Sequence, residues 1–294
     1  MTLALIAGAG ELPALIAARQ AEVPFVASLA GHAPSGLTPD LTFRLEVLGG
    51  TLEALEARGV TEVCLLGKVT RPPVDMAALD EATRPLVPRL MEAMAQGDDA
   101  ALRAIIEIIE ETGLRVVGAH ELAVDLLPAP GLLAGSLTSS AERDAARAEK
   151  IIAAMGAADL GQACIVADGQ ALAIEALPGT DWMLRSLLVQ KTAAAEITDP
   201  LGMAADWLSG PQTAPSRDPS LPPGGLLFKA PKPGQELRVD MPTIGPATIK
   251  GAAEAGLEGV VVEAGGVLVI EPEDCQKIAQ AAGLFIWVRP GQGA

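Results

Sequence analysis

The chain has 294 residues and a formal net charge of −16; half of its residues are hydrophobic, 2% are aromatic and none is tyrosine. A mean hydropathy of +0.35 argues against a disordered chain, whose signature is low hydrophobicity. The charge and the scarcity of rings argue against a binder of DNA or RNA, which needs cations for phosphates and flat faces for bases. No apolar run reaches the roughly 18 to 20 residues of a transmembrane helix.

Met1 to Gly10 has no basic segment and runs directly into a strand pattern, so no signal peptide is expected. Residues 3–8 (LALIAG) are a continuous apolar run, the pattern of a strand buried on both faces. After a glycine turn, residues 11–20 predict a short helix, and VPFVASL (23–29) and TFRLEVL (42–48) the next strands. TLEALEARG (51–59) predicts a helix closed by Gly59, and VTEVCLLG (60–67) a further buried strand. Strand and helix in alternation argue for an α/β class, a parallel sheet with helices on both faces.

RPLVPRLMEAMAQG (84–97) has helical spacing. In the stretch after it, Leu102, Ile105, Ile106 and Ile109 form an amphipathic stripe, with Asp98 placed as N-cap and Asp99 at the positive helix end. LRVVGAHE (114–121) reads as a strand entering a loop. The Pro/Gly-rich LLPAPGLLAG (126–135) reads as a connection. It divides the chain near residue 132, into an N-terminal domain of residues 1–132 and a C-terminal domain of residues 133–294.

In the second half, residues 139–157 are helical, and QACIVADGQALAIEAL (162–177) holds two β runs around an Asp168-Gly169 hairpin signal. PGTDWMLRSLLVQ (178–190) turns from loop to helix, and residues 211–224 are a Pro/Ser-rich exposed loop. LLFKA, GVVVEAG and VLVIEPE read as strands, with TIGPATIKGAAEAG (243–256) a helix among them. The three cysteines are odd in number and far apart, which is no disulfide framework and points to a reducing compartment. Cys64 and Cys164 lie in apolar strand runs as small buried hydrophobes. His32 and His120 are the only histidines, with no zinc spacing.

Four places carry residues suited to chemistry. Gly8-Ala9-Gly10-Glu11-Leu12-Pro13 follows the first strand, where glycines let a phosphate approach backbone N–H groups. The third glycine of a dinucleotide loop is replaced by Pro13, and no acidic residue is clearly placed for a ribose. A tight turn, a dinucleotide loop and a loop for another phosphate all stay open. Lys68 and Arg71 follow the strand ending at Leu66, at the edge where a parallel sheet binds ligands; a solvated loop is the plain alternative.

The third place is the densest. Residues 226–250 contain Lys229, Lys232, Arg238 and Lys250 against Glu236 and Asp240, a local charge of +2 in a chain of −16. A positive island in an acidic protein suits an anionic ligand. A carboxylate such as Asp240 among phosphate-binding cations is what a divalent-metal phosphate site needs, unless Asp240 caps the following helix. The fourth place holds Glu175 at a strand end and Thr180-Asp181 at a helix start, with Glu263 at another strand end.

GAGELP, GKVTRP, GDDAALR, GAHE, GQACIVADGQALAIEALPGTD and KAPKPGQELRVDMPTIGPATI, in this order, resemble the UDP-2,3-diacylglucosamine pyrophosphatase family, the form unrelated to calcineurin-like metallophosphatases. The resemblance covers nearly the whole chain, and Lys229 to Thr248 is its most specific part. It implies an N-terminal Rossmann-like domain, a C-terminal α/β domain and a site in the cleft between them. The implied reaction is Mg²⁺-dependent hydrolysis of UDP-2,3-diacylglucosamine to UMP and 2,3-diacylglucosamine 1-phosphate (lipid X), an intermediate of lipid A synthesis, with water attacking the phosphorus next to the sugar.

The resemblance implies Asp240 as the essential carboxylate, and Leu12, Pro13, Thr70, Arg71, Asp98, Asp99, His120, Thr180 and Asp181 as substrate contacts. Lys68 is not carried over as essential. On the residues themselves, Asp240 is expected to hold Mg²⁺ or the attacking water, with Glu263 or Asp181 completing the shell, while Lys229, Lys232 and Arg238 hold the diphosphate. The expected partners are the lipid-nucleotide substrate, the cytoplasmic face of the inner membrane as a peripheral contact of a cytoplasmic protein, and a second copy as a homodimer; nucleic acid is not expected. An NAD(P)-dependent oxidoreductase and a non-catalytic nucleotide-sugar or lipid-binding protein are the alternatives.

Overall fold

A computed structural model of the chain describes residues 2–70, 74–189 and 215–291. The first elements in chain order are β1 (Leu3–Ala7), α1 (Leu12–Ala17), β2 (Phe25–Leu29), β3 (Leu41–Phe43), α2 (Leu48–Ala57), β4 (Glu62–Leu66), α3 (Val87–Gln96), α4 (Asp98–Glu111), β5 (Arg115–Val116) and α5 (Ala119–Leu122). There follow β6 (Gly131–Ala134), α6 (Ala141–Ala157), β7 (Ala163–Ala167), β8 (Gln170–Ile174), α7 (Thr180–Arg185), β9 (Leu188–Val189), β10 (Ser216–Arg217) and β11 (Leu226–Lys229). The last are β12 (Thr243–Ile244), α8 (Pro246–Glu254), β13 (Gly259–Glu263), β14 (Leu268–Val269), α9 (Pro272–Ala282) and β15 (Phe285–Arg289).

The chain divides into two compact units. Met1–Pro128, Pro233–Thr243 and Gly265–Ile270 make the first; Ala129–Lys232, Ile244–Ala264 and Glu271–Ala294 make the second. A single cut near residue 132 does not describe this division, because two later segments pack into the first unit. Val239 lies against one cluster of its core, and Leu268, Met241 and Ile270 belong to another.

The first unit carries a five-stranded sheet of order β3-β2-β1-β4-β5. All its pairings are parallel. This is the doubly wound order, with the strand sequence reversing between β1 and β4. Successive residues of β1 and β4 face opposite layers. Ala4 and Val63 pack with residues of α2 and α4, whereas Leu5 and Cys64 pack with residues of α1 and α5. The Rossmann-like expectation holds.

The second unit carries a mixed six-stranded sheet, β6-β15-β13-β11-β7-β8. The inner pairs β11–β13 and β13–β15 are parallel, and the outer pairs are antiparallel. Ala141, Ala145, Ala148, Ile152 and Met155 form the apolar stripe of α6 against Cys164, Val166, Phe228 and Val261. Outside both of these sheets, β12 and β14 pair in a two-stranded ribbon; β14 belongs to the first unit.

Local rules account for several boundaries. At the end of α2, the Gly59 N–H bonds to the Glu56 carbonyl and the Val60 N–H to the Leu55 carbonyl, with Gly59 at φ +77°, a Schellman stop. Asp168 and Gly169 both have positive φ, the two-residue turn that matches hairpin twist. Elsewhere the structure differs from the sequence reading. TFRLEVL is a strand only to Phe43. Glu46 is then buried, bonded to Arg44 and the Asp75 N–H, and the chain coils into α2. Helix α4 starts at Asp98 with Gly97 as N-cap, so Asp98 is its first helical residue and not its cap. The expected connection at 126–135 contains β6, an edge strand paired with β15.

Candidate active site

In the first unit, the loops after β1 and β4 meet at the point where the strand order reverses. The Gly8 N–H donates to the Leu66 carbonyl, and Ala9 and Lys68 exchange backbone hydrogen bonds at 2.9 and 2.8 Å. A β-carbon on Gly67 would stand 2.7 Å from the Gly8 carbonyl oxygen, so glycine is required for this approach. Leu12 and Pro13 are the first two residues of α1. The Thr70 N–H points at His32 Nε2 at 3.1 Å, and the Thr70 hydroxyl is 2.8 Å from the same nitrogen. Nε2 therefore acts as acceptor, and Nδ1, 3.2 Å from the Ala30 carbonyl, as donor. His32 was not among the expected site residues; it meets Thr70 because β2 and β4 lie on either side of β1. Arg71 lies outside the described residues.

His120 stands on α5, its ring against Gly118, where a β-carbon would be 2.5 Å from Nδ1. Nδ1 is buried without a hydrogen-bond partner among the described residues. A β-carbon on Gly118 would also be 3.2 Å from the Arg238 Cα, so the segment that bears Asp240 runs close by.

That segment, Pro233–Thr243, is tied to α4. Arg103 holds Asp99 at 2.8 Å and also donates to the Gly234 carbonyl. The Glu236 N–H reaches Asp99 at 3.4 Å. Arg238 forms a two-pronged bond to Glu236, at 3.0 and 2.9 Å, and a third bond to Glu110 at 2.8 Å. The Arg238 guanidinium holds the Glu236 carboxyl below the usual carboxylate range, and Arg238 itself is pushed up by Glu236. Gln235 Nε2 donates to both the Asp240 main-chain oxygen, at 2.5 Å, and Asp240 Oδ2, at 2.6 Å. Helix α8 begins at Pro246 with Gly245 as N-cap, so Asp240 is not its cap. Asp98 is exposed on the first turn of α4.

In the second unit, Lys229 ends β11 and is buried. Its Nζ donates to Thr180 Oγ1 at 2.9 Å, and the Thr180 hydroxyl donates to buried Glu175. Thr180 opens α7; Asp181 follows it and is exposed. Lys232 is ion-paired with Asp159 at 2.6 Å. Glu263 ends β13, in register with Arg289, which pairs with Glu149. Burial, and then the Glu149 charge, raise the Glu263 carboxyl above its ordinary value, with Arg289 opposing. Cys64 and Cys164 are buried free thiols whose desolvation pushes them up to about 12.

The structure thus gathers Thr180, Lys229 and Glu175 in one unit, and Asp99, Arg238 and Asp240 with Gln235, Glu236 and Glu110 in the other. Among the described residues no cluster of three or more His, Cys, Asp or Glu side chains has the geometry of a metal cage. Mg²⁺ takes one or two carboxylates and completes its shell with water and phosphate oxygens, so a single well-held carboxylate such as Asp240 suits it as a donor.

Residues 2–126 match the LpxI N-terminal domain and residues 129–287 the LpxI C-terminal domain. The chain belongs to the LpxI family. It is 35% identical, over 292 residues, to the UDP-2,3-diacylglucosamine pyrophosphatase LpxI of Caulobacter vibrioides, across 97% of this chain and 96% of that relative. The two family domains meet between residues 126 and 129, and the first crossing between the compact units falls at the same place. Among the described residues, no helix of this family member is long and apolar enough to cross a membrane.

Proposed function

We propose that this LpxI-family chain hydrolyses the pyrophosphate bond of UDP-2,3-diacylglucosamine, with Mg²⁺, to UMP and 2,3-diacylglucosamine 1-phosphate in lipid A synthesis. The observation that carries the reading is identity along 97% of the chain with a relative named for this pyrophosphatase, together with both family domains.

The residue chemistry supports it. Phosphoryl transfer needs little covalent help; it needs positioned charge and a positioned nucleophile. In this reading Asp240, gripped by Gln235, orients the attacking water and serves as a Mg²⁺ ligand, with Glu263 the second carboxylate to test. The metal supplies charge neutralisation at the phosphate oxygens when bound. Lys229 offers ammonium protons to the diphosphate. The unpartnered Nδ1 of His120 is a group that a polar substrate atom would satisfy. Arg238, engaged by Glu236 and Glu110, secures the Asp240 segment to α4 and is not spent on phosphate. Leu12, Pro13, Thr70, Asp98, Asp99 and Asp181 are the further proposed contacts. A cytoplasmic location, peripheral contact with the inner membrane and a homodimer complete the reading.

The test is incubation of the purified chain with UDP-2,3-diacylglucosamine and Mg²⁺ in H₂¹⁸O. Equal amounts of UMP and 2,3-diacylglucosamine 1-phosphate are expected, with the label in the sugar phosphate, and no turnover with EDTA. If neither product forms, the reading is wrong. Label in UMP would move the attack to the other phosphorus.

A further inference from the structure

Glu175 and Lys229 are each only 8% exposed, and both are ionisable. They are joined through one hydroxyl. An ammonium can only donate and a carboxylate can only accept, so the order of protons is forced. The Lys229 ammonium donates a hydrogen bond to Thr180 Oγ1, and the Thr180 hydroxyl donates one to Glu175 Oε1. The other carboxylate oxygen accepts the Gln162 N–H at 3.0 Å. The carboxylate is also wedged in place: a β-carbon at Gly161 would fall 2.6 Å from Glu175 Cγ and 2.7 Å from its Cβ.

Two consequences follow. The single proton of Thr180 is already used, so toward a phosphate Thr180 is no donor; the free donors at this point are the remaining ammonium protons of Lys229. The direction of the Lys229 bond also depends on Glu175, which keeps the Thr180 lone pair turned toward the ammonium. We infer that Glu175 is a positioning residue for Lys229 as the phosphate-binding cation, acting through the Thr180 hydroxyl. This rests on the hydrolase reading above.

Glu175→Gln breaks the relay with little change of volume. A glutamine has one carbonyl oxygen, which can serve the Gln162 N–H or the Thr180 hydroxyl but not both. With its amide N–H₂ toward Thr180, the hydroxyl proton loses its acceptor and no longer fixes which lone pair faces the ammonium. Thr180→Val removes the same relay at its middle.

The experiment compares the full-length wild type, Glu175→Gln, Thr180→Val and the double variant in steady-state hydrolysis. Thermal midpoints are measured in parallel. Competitive acetic-anhydride labelling of lysines without substrate, read by mass spectrometry against exposed Lys277, supplies a readout independent of turnover. Each single variant is expected to lower kcat/KM roughly 10- to 100-fold, the size of one charge-assisted hydrogen bond. The double variant should be no worse than Thr180→Val, because both changes cut one chain. Lys229 should label faster in each variant. Wild-type kcat/KM in Glu175→Gln, losses that multiply in the double variant, or unchanged Lys229 labelling would each overturn the inference. If Glu175→Gln does not fold, Thr180→Val and its labelling decide. If the wild type releases no UMP, the hydrolase reading falls and the labelling alone decides whether Glu175 holds Lys229.

Discussion

Lys229 and Arg238 sit nine positions apart in the same positive stretch, yet their surroundings differ in kind. Lys229 is buried at a strand end and linked to one carboxylate through a hydroxyl. Arg238 is about one-third exposed and clasped by two carboxylates, Glu236 beside it and Glu110 far back in the chain. A charge count along the sequence makes them equal. In the fold, one keeps donors to spare and the other has three of its donors engaged. What decides the role of a cation is the set of acceptors the topology brings to it.

The largest expected effect is on Asp240, which follows both cations in the sequence. Asp240→Ala should lower kcat roughly 100-fold or more, as loss of one preorganised polar group in a phosphoryl or acyl transfer site does, with a smaller change in KM. Measuring UMP release under saturating substrate checks this, and near-normal kcat would remove Asp240 from the chemistry.

The next effect sharpens the contrast itself. Lys229→Met should cost both activity and roughly 1–3 kcal/mol of stability, because it leaves the Thr180 oxygen without its donor and a buried carboxylate without the cation linked to it. Arg238→Met should cost about 1 kcal/mol at most, since a part-exposed pair is screened by solvent. Urea unfolding of the two variants orders them; a larger loss for Arg238→Met would break the comparison.

Acidity gives a finer test. The folded Glu236 carboxyl lies below its ordinary value, chiefly through its bond to Arg238. Its contribution to stability is therefore full above that value and is lost as pH falls toward the folded pKa. Wild type should lose stability faster than Arg238→Met between pH 5 and the acid limit. Parallel pH slopes would show that the ion pair carries no linkage.

The smallest effect is expected at Lys232, which is paired with Asp159. Lys232→Gln should raise KM by no more than about threefold, the range of a weak ion pair. A tenfold rise would return Lys232 to the diphosphate.

The parts of the fold that were legible in the sequence are those fixed by short-range rules. The buried strands β1 and β4, the Gly59 stop and the Asp168-Gly169 hairpin each depend on a few adjacent residues. Gly131–Ala134 was not legible as a strand, because its partner is β15 at the far end of the chain and its Pro/Gly-rich flanks read as a linker. TFRLEVL failed for a similar reason: Glu46 is buried by bonds to Arg44 and Asp75, which no periodicity displays. In the site, Asp240 stood out through its basic neighbours and the family resemblance. The grip of Gln235, the Thr180 relay and the His32–Thr70 pair were invisible, since each needs a geometry that spacing alone does not encode.

The two late segments of the first unit have a consequence for biogenesis. Leu268 is fully buried among Leu5, Ile16 and Cys64, with Met241 and Ile270 packed beside it. A ribosome making about 5–20 residues per second finishes the five parallel strands well before it reaches residue 268. For on the order of ten seconds the nascent sheet has one face incompletely covered. Cotranslational folding of this protein should therefore end in a late docking step, and a ribosome stalled before residue 268 should present an aliphatic surface that invites a chaperone.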